Sequence, residues 1–281
     1  MTGRRTVEVD GTAVAIEPGA TILDACRAGG VDVPTLCYLE TLTPANACRL
    51  CSVEVEGSRT LVPACSRIAE DGMVIRTATD RVRHARRMIL EFLAVAVDLT
   101  TAPELLEAMA VYGADPSRYG TDDGSPRPDA VVDNDLYVRD LDKCVLCYRC
   151  VEACGDDAQH TYAITIADRG AAARVATEFD VALPDSACVF CGNCVAVCPT
   201  GALMVKTEFD MRVAGTWHEE AQTVTRTVCG YCGVGCNLDV HVQDGAIVKV
   251  TSPFDHDVTA GNLCIKGRFG WTHVRAGVDG A

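Results

Sequence analysis

The sequence predicts an α+β protein built of small units in series, and three observations carry that expectation. Sixteen of the seventeen cysteines fall into four sets of four, spread from residue 37 to residue 264. Hairpin signals stand at Asp10-Gly11 and Asp244-Gly245, near either end, with short amphipathic helices after the first. Stretches of loop composition separate the sets, most clearly residues 114–130, rich in Asp, Gly, Pro and Ser. Length alone allows one or two domains. Ligand-type residues distributed end to end point to more and smaller units. A short segment buries too little apolar area to hold itself together, and a metal staple supplies the difference.

The elements follow in order. Thr6–Val9 and Thr12–Ile16 alternate and flank Asp10-Gly11, which predicts a hairpin. Thr21-x-x-Asp24 opens a helix in capping-box style, with Ile22, Ala25 and Cys26 on its inner face, and Gly29-Gly30 ends it. Strands are expected at Ser52–Val55 and Met73–Ile75. A helix crossing a twisted sheet beside a cysteine loop suggests a β-grasp for residues 1–78. Residues 79–135 read as a helical connector and linker. Val82, Ala85, Met88, Ile89, Phe92 and Leu93 recur at helical spacing there, and Pro103 suits the first turn of a second helix reaching about Val111. Residues 136–208 carry two cysteine runs about 44 residues apart, the one internal repeat. Residues 209–224 read as a second connector, and residues 222–281 as a small β-rich unit.

Composition narrows the function classes. The chain carries a net charge of −14 before any bound group is counted, which makes nucleic acid a poor partner and a protein docking face the better expectation. Met1 to Asp10 has no basic segment leading into an apolar one, so a secretory signal is not expected. The longest apolar run, Met88 to Val97, is broken by Glu91 and is too short for a membrane span. A cytoplasmic protein is the expectation. In that reducing compartment many cysteines mean metal or redox chemistry rather than disulfides.

The spacings favour iron and sulfide. Cys37, Cys48, Cys51 and Cys65 form the first set, and four thiolates suit a 2Fe–2S core in which each iron takes two. A structural four-cysteine zinc site is the alternative. Cys144, Cys147, Cys150 and Cys154, then Cys188, Cys191, Cys194 and Cys198 followed by Pro199, are two C-x2-C-x2-C-x3-C runs; Gly155 stands in the proline's place on the first. Cys229, Cys232, Cys236 and Cys264 form the last set, with Gly230, Gly233 and Gly235 easing tight turns between them.

These motifs carry a family resemblance. The first set is similar in spacing to the 2Fe–2S domain at the start of complex I large subunits, iron-only hydrogenases and NAD-dependent formate dehydrogenase alpha subunits. The paired runs resemble those of bacterial two-cluster ferredoxins, where the fourth cysteine of each run crosses to the other cluster. That implies one 4Fe–4S cluster on Cys144, Cys147, Cys150 and Cys198, and another on Cys154, Cys188, Cys191 and Cys194. The stretch Cys229-Gly-Tyr-Cys232-Gly-Val-Gly-Cys236 with Cys264-Ile-Lys266-Gly267-Arg268-Phe269-Gly270 resembles the start of molybdenum or tungsten bis-pterin oxidoreductases, formate dehydrogenase alpha subunits above all. It implies a third 4Fe–4S cluster, with Lys266 as a relay towards a pterin. The resemblance extends over the connector Glu208-Phe-Asp-Met-Arg and Gly215-Thr-Trp to essentially the whole chain.

Two departures qualify it. The pterin-binding region of the family, with its catalytic cysteine or selenocysteine and neighbouring histidine and arginine, has no counterpart in these 281 residues. The expectation is a subunit with no catalytic residue of its own, working beside a Mo/W-bis-pterin catalytic subunit and a flavin (FMN)/NAD(H)-binding iron–sulfur subunit. Many relatives also hold a histidine-plus-three-cysteine cluster after the first domain. Here no cysteine lies between Cys65 and Cys144, and His84, beside Arg81, Arg83, Arg86 and Arg87, is assigned no metal. Either packing shortens the gap that this leaves, or the 2Fe–2S cluster lies off the main path.

The leading expectation is an electron-transfer subunit of a formate-dehydrogenase-like complex. The wiring subunit of a hydrogenase or complex-I-like assembly is the runner-up, and a zinc-stabilised interaction scaffold is the reading from a different class. Cys26 reads as a buried core thiol. His160, His218, His241, His256 and His273 fall in no ligand pattern. Asp122-Asp123-Gly124 resembles only the start of a calcium loop.

Overall fold

The computed structural model describes residues 5–120 and 127–273, so the Asp122-Asp123-Gly124 segment lies outside the described residues. The chain divides into two compact units, Met1–Leu39 with Pro44–Ser125, and Glu40–Thr43 with Pro126–Ala281. Both are mixed α/β structures.

In the first unit β1 (Arg5–Val9) and β2 (Thr12–Ile16) form the hairpin. Asp10 and Gly11 both take positive φ, 48° and 89°, as a two-residue primed turn requires. Helix α1 (Ile22–Ala28) starts on a reciprocal cap. The Thr21 hydroxyl accepts from the Asp24 N–H at 3.1 Å, and the Asp24 carboxylate accepts from the Thr21 N–H at 2.8 Å. Strands β3 (Ser52–Val55), β4 (Val62–Pro63) and β5 (Val74–Arg76) complete a five-stranded sheet of order β2-β1-β5-β3-β4. Only the β1–β5 pair is parallel. Val7, Val9, Ile22, Val53, Ile75 and Cys26 are buried in its core. Burial first, then the nearby Asp10 charge, pushes the Cys26 thiol up to about 11, so it is a neutral packing group.

Helix α2 (Asp80–Ala96) is capped by Thr79, and α3 (Pro103–Tyr112) opens on its proline and closes at Gly113 in the left-handed region, φ 63°. The inward stripe of α2 differs from the one its apolar residues predict. Val82, Arg86, Leu90, Glu91 and Val95 are buried, while Phe92 is 49% exposed, with its ring 4.6 Å from that of Tyr119. Two charged residues enter the core because the backbone beneath offers them partners. Arg86 donates through Nε to the Leu50 carbonyl at 3.1 Å, through Nη2 to the Ser52 carbonyl at 3.0 Å, and through Nη1 to the Tyr112 hydroxyl at 2.9 Å. Arg86 is therefore no part of an exposed basic face with His84. Glu91 accepts from the Asp115 N–H at 3.1 Å.

The second unit begins with β6 (Tyr137–Arg139), α4 (Arg149–Cys154), β7 (Thr165–Ala167), β8 (Arg174–Ala176), α5 (Asn193–Ala196) and β9 (Leu203–Val205). β6 pairs antiparallel with β9, and β7 with β8. Helix α6 (Lys206–Val213) occupies part of the stretch the sequence reads as a connector. Its buried Glu208 accepts from Arg212 at 2.8 Å and from Lys249 at 2.7 Å, tying the helix to the strand that carries Lys249. β10 (Thr223–Val228), β11 (Asn237–Gln243) and β12 (Ala246–Thr251) make an antiparallel sheet, and the short helix α7 (Ile265–Phe269) packs on β12. Among the described residues no helix is long and apolar enough to cross a membrane.

Arg86→Leu should destabilise the first unit by at least about 2 kcal/mol, because two buried carbonyls lose their donor. Arg67→Ala, which breaks only an exposed ion pair with Glu70, should cost about 0–1 kcal/mol. Amide hydrogen exchange within β3 and α2 reads this unit alone and checks both.

Candidate metal centres

In the first three cysteine sets the loop backbone is bent so that N–H groups face sulfur. In the first, Arg49 takes a positive φ of 60°, and the Leu50 N–H points at Cys48 Sγ from 3.5 Å. That left-handed turn costs a non-glycine residue energy, and the inward amide offsets it. Cys37, Cys51 and Cys65 are buried and Cys48 is partly covered. Cys37 stands within hydrogen-bonding reach of Cys48 and Cys65, and Cys51 of Cys65. Those contacts hold the Cys37 and Cys51 thiols below the usual range and push Cys48 and Cys65 above it. The buried Arg86 grips the carbonyls on either side of Cys51.

The 44-residue repeat holds at the level of single dihedral angles. Leu146 and Phe190 have φ of 50° and 53°, and Tyr148 and Gly192 of 68° and 70°. Helices α4 and α5 start directly after them. The turns aim the N–H groups of Leu146, Arg149, Phe190 and Asn193 at Cys144, Cys147, Cys188 and Cys191 respectively. Across the repeat the last cysteines change places. One cavity is lined by Cys144, Cys147, Cys150 and Cys198, the other by Cys154, Cys188, Cys191 and Cys194. Burial pushes the Cys147 thiol up to about 12 and those of Cys150 and Cys194 well above their ordinary value. Thiols so placed ionise when a cation takes the proton's place.

Further polar groups reach these sulfurs. The buried Tyr137 hydroxyl lies 3.0 Å from Cys188 Sγ, the Thr161 hydroxyl 3.4 Å from Cys154 Sγ, and the Leu203 N–H 3.4 Å from Cys198 Sγ. Asp133 holds the segment entering the Cys188 loop. Its Oδ2 accepts from the Leu183 N–H at 2.9 Å and from Arg139 at 2.6 Å. Burial would raise the Asp133 pKa, but the Leu183 N–H, Asn134 and Arg139 together outweigh it and hold the carboxyl below its usual range.

The fourth set brackets the three-stranded sheet. Cys229 follows β10, Cys236 precedes β11, and the Cys229 N–H donates to the Cys236 carbonyl at 2.8 Å, closing the loop between them. Gly235, at φ 73°, makes the return turn. Cys264 caps α7, and Cys229, Cys232 and Cys264 all act on the Cys236 thiol. Cys232 and Cys264 are exposed, as is Lys266 in the first turn of α7. Around them Val228, Tyr231, Val234 and Ile265 expose large apolar side chains, and β10 is exposed along its whole length.

Four thiols per group fit iron–sulfur clusters, with inward amides and buried walls in the first three sets and an exposed rim at the fourth. Among the described residues no group of three or more His, Cys, Asp or Glu closes into a single-ion site. His84 is exposed and pairs with Arg87 at 2.9 Å. Sequence reasoning missed Tyr137, Arg86 and Arg268 as neighbours of the thiols. The spacing Val82–Arg86–Leu90 marks Arg86 as inward-facing, and Arg268 lies inside the run that follows Cys264. Nothing local marks Tyr137.

Asp133→Asn should lower stability at neutral pH by about 1.5–3 kcal/mol. The native pKa is depressed, so the contribution is present above the unfolded value of about 3.9 and is lost as pH falls through the native one. The gap between wild-type and variant urea midpoints should stay constant from pH 7 to about 5 and narrow below about 4.

Three successive families match the chain. Residues 4–80 match the 2Fe–2S iron–sulfur cluster binding domain, residues 136–202 the 4Fe–4S dicluster domain, and residues 222–276 the molybdopterin oxidoreductase Fe4S4 domain. An NADH-quinone oxidoreductase subunit of Rhizobium meliloti is 34% identical over 277 residues, 96% of this chain and 31% of that protein. A Staphylococcus haemolyticus protein named as a formate dehydrogenase is 29% identical over 311 residues, again 96% of this chain and 31% of that protein. A crystal structure of an NAD+-reducing nickel–iron hydrogenase superposes with a TM-score of 0.63 at 25% identity, over 73% of this chain and 88% of that one. The chain spans about a third of the length of the curated relatives it matches. With its three domain types in this order, it belongs to the iron–sulfur region shared by NADH-quinone oxidoreductase, formate-dehydrogenase-like and hydrogenase subunits.

Proposed function

We propose that the chain is the iron–sulfur electron-transfer subunit of a formate-dehydrogenase-like complex, carrying electrons between a Mo/W-pterin catalytic subunit and a flavin/NAD subunit. The observation that carries this reading is the exchange of Cys154 and Cys198 between two adjoining cavities in the same unit as the fourth cysteine set. Two sites that each borrow a wall from the other stand close together, as electron transfer needs.

On this reading the first unit is a β-grasp domain holding one 2Fe–2S cluster on Cys37, Cys48, Cys51 and Cys65. Residues 136–208 are a two-cluster ferredoxin-like domain with 4Fe–4S clusters on Cys144, Cys147, Cys150 and Cys198, and on Cys154, Cys188, Cys191 and Cys194. Cys229, Cys232, Cys236 and Cys264 hold the third 4Fe–4S cluster. Bound clusters supply one-electron donors and acceptors. The chain's own groups bind them, turn amide and hydroxyl donors towards sulfur, and exclude water from the paired cavities. The exposed apolar rim of the fourth set supports a covering partner, the pterin-binding catalytic subunit, with Lys266 as the relay towards it. FMN and NAD(H) belong to a second partner, and the complex works in the cytoplasm.

The hydrogenase and NADH-quinone oxidoreductase similarities favour the second reading, a wiring subunit in one of those assemblies. The metal of the co-purifying catalytic subunit separates the two: molybdenum or tungsten supports the first, nickel the second.

The anaerobically purified chain should hold about fourteen irons, from one two-iron and three four-iron clusters. Cys198→Ser should perturb the same paramagnetic signal as Cys144→Ser, and Cys154→Ser the same signal as Cys188→Ser. A colourless, zinc-rich protein would sink the electron-transfer reading. Cys198→Ser acting on the Cys188 signal would sink the ligand exchange.

A further inference from the structure

We infer that Arg268 couples the fourth cysteine module to the Cys154/Cys188/Cys191/Cys194 site as a positioning residue, and that its charge raises the reduction potential of the cluster held there. The inference rests on the cluster reading above and goes beyond it.

Helix α7 serves two sites at once. Cys264 caps its N-terminus, and the Arg268 N–H donates to the Cys264 carbonyl at 3.0 Å. From there the Arg268 side chain runs to the neighbouring cysteine loop and is 2% exposed. Nε donates to the Cys191 carbonyl at 3.0 Å, and Nη2 to Asn193 Oδ1 and to the Gly261 carbonyl, both at 3.2 Å. Asn193 Oδ1 also accepts the Leu263 N–H at 2.9 Å, so the loop after Cys191 and the segment before Cys264 share one acceptor. Phe269 enters the same core, its ring stacked 6.2 Å from that of Tyr137, whose hydroxyl lies at Cys188 Sγ.

Every side-chain partner of Arg268 is neutral, and among the described residues no carboxylate pairs with it. A buried cation without a counter-charge is costly. A guanidinium keeps its proton in proteins, and the ionisable groups acting on Arg268 are Cys191 and Cys194. The counter-charge is therefore that of the thiolate-bound cluster. Uptake of one electron adds one negative charge beside the guanidinium, which lowers the energy of the reduced form more than that of the oxidised one.

The internal repeat gives an independent sign. Tyr148 and Gly192 occupy equivalent left-handed positions. At residue 192 an added Cβ would lie 2.4 Å from Arg268 Cδ and 3.0 Å from its Nε. The half of the repeat crossed by Arg268 is the half that has glycine.

The test is a redox titration of the full-length, cluster-loaded chain followed by electron paramagnetic resonance, with amide hydrogen exchange across residues 191–194 and 261–269. Arg268→Gln should keep full iron, move one 4Fe–4S midpoint to more negative potential, leave the 2Fe–2S midpoint in place, and exchange faster in both segments. Arg268→Lys should regain most of the potential but keep the faster exchange, since one ammonium cannot hold three spaced acceptors. Should Arg268→Gln lose iron, a Lys variant with full iron and near-wild-type potential supports the inference. Unchanged midpoints in Arg268→Gln at full iron, or a Lys variant as low in potential as Gln, would overturn it. An iron-free wild-type chain would instead overturn the cluster reading beneath it.

Discussion

Anionic sulfur must be kept away from water without being left alone, and that single requirement organises both units. A buried thiolate without donors is an uncompensated charge. The chain meets this by bending loops until amides face inward. The bends put Arg49, Leu146, Tyr148 and Phe190 into the left-handed region that side chains usually avoid. Strain of this kind persists only where the surroundings over-determine it. Here the short strands β6 and β9 and the helices α4 and α5 clamp the loops of the paired runs at their ends.

The same requirement explains the buried arginines. Arg86 spans the carbonyls flanking Cys51, and Arg268 takes the Cys191 carbonyl. Both grip the main chain of a ligand loop, and Arg268 adds the Asn193 side-chain oxygen. The guanidinium fork suits this, because it delivers several donors from one rigid plane. In a chain with a net charge of −14, these two interior cations stand beside cysteine loops.

Much of this is legible in the amino-acid order. Asp10-Gly11, the Thr21/Asp24 cap and Pro103 are local signals with local causes, and each element forms where those residues stand. Cysteine spacing separates sixteen thiols into four runs, but the exchange of Cys154 and Cys198 between the two cavities is a matter of packing that spacing alone does not carry. What escapes are matters of tertiary context. The inward stripe of α2 includes Arg86 and Glu91; helical spacing places Arg86 on the Val82–Leu90 face, but the partners that let the two charges be buried come from other segments. Helix α6 fills part of the expected connector, since Glu208 finds both Arg212 and Lys249 only once β12 is in place. The strands β6 to β9 are three residues each, too short to leave a pattern of alternation.

The traded cysteines have a consequence for ancestry. Each half of the 44-residue repeat lends its final thiol to the chamber of its twin, so neither can be deleted, swapped or allowed to decay separately. A lineage that lost one half would inherit two broken chambers instead of one sound one. The two halves differ in what surrounds them, Gly192 standing where the other half has Tyr148, while each depends on the other for its fourth thiol.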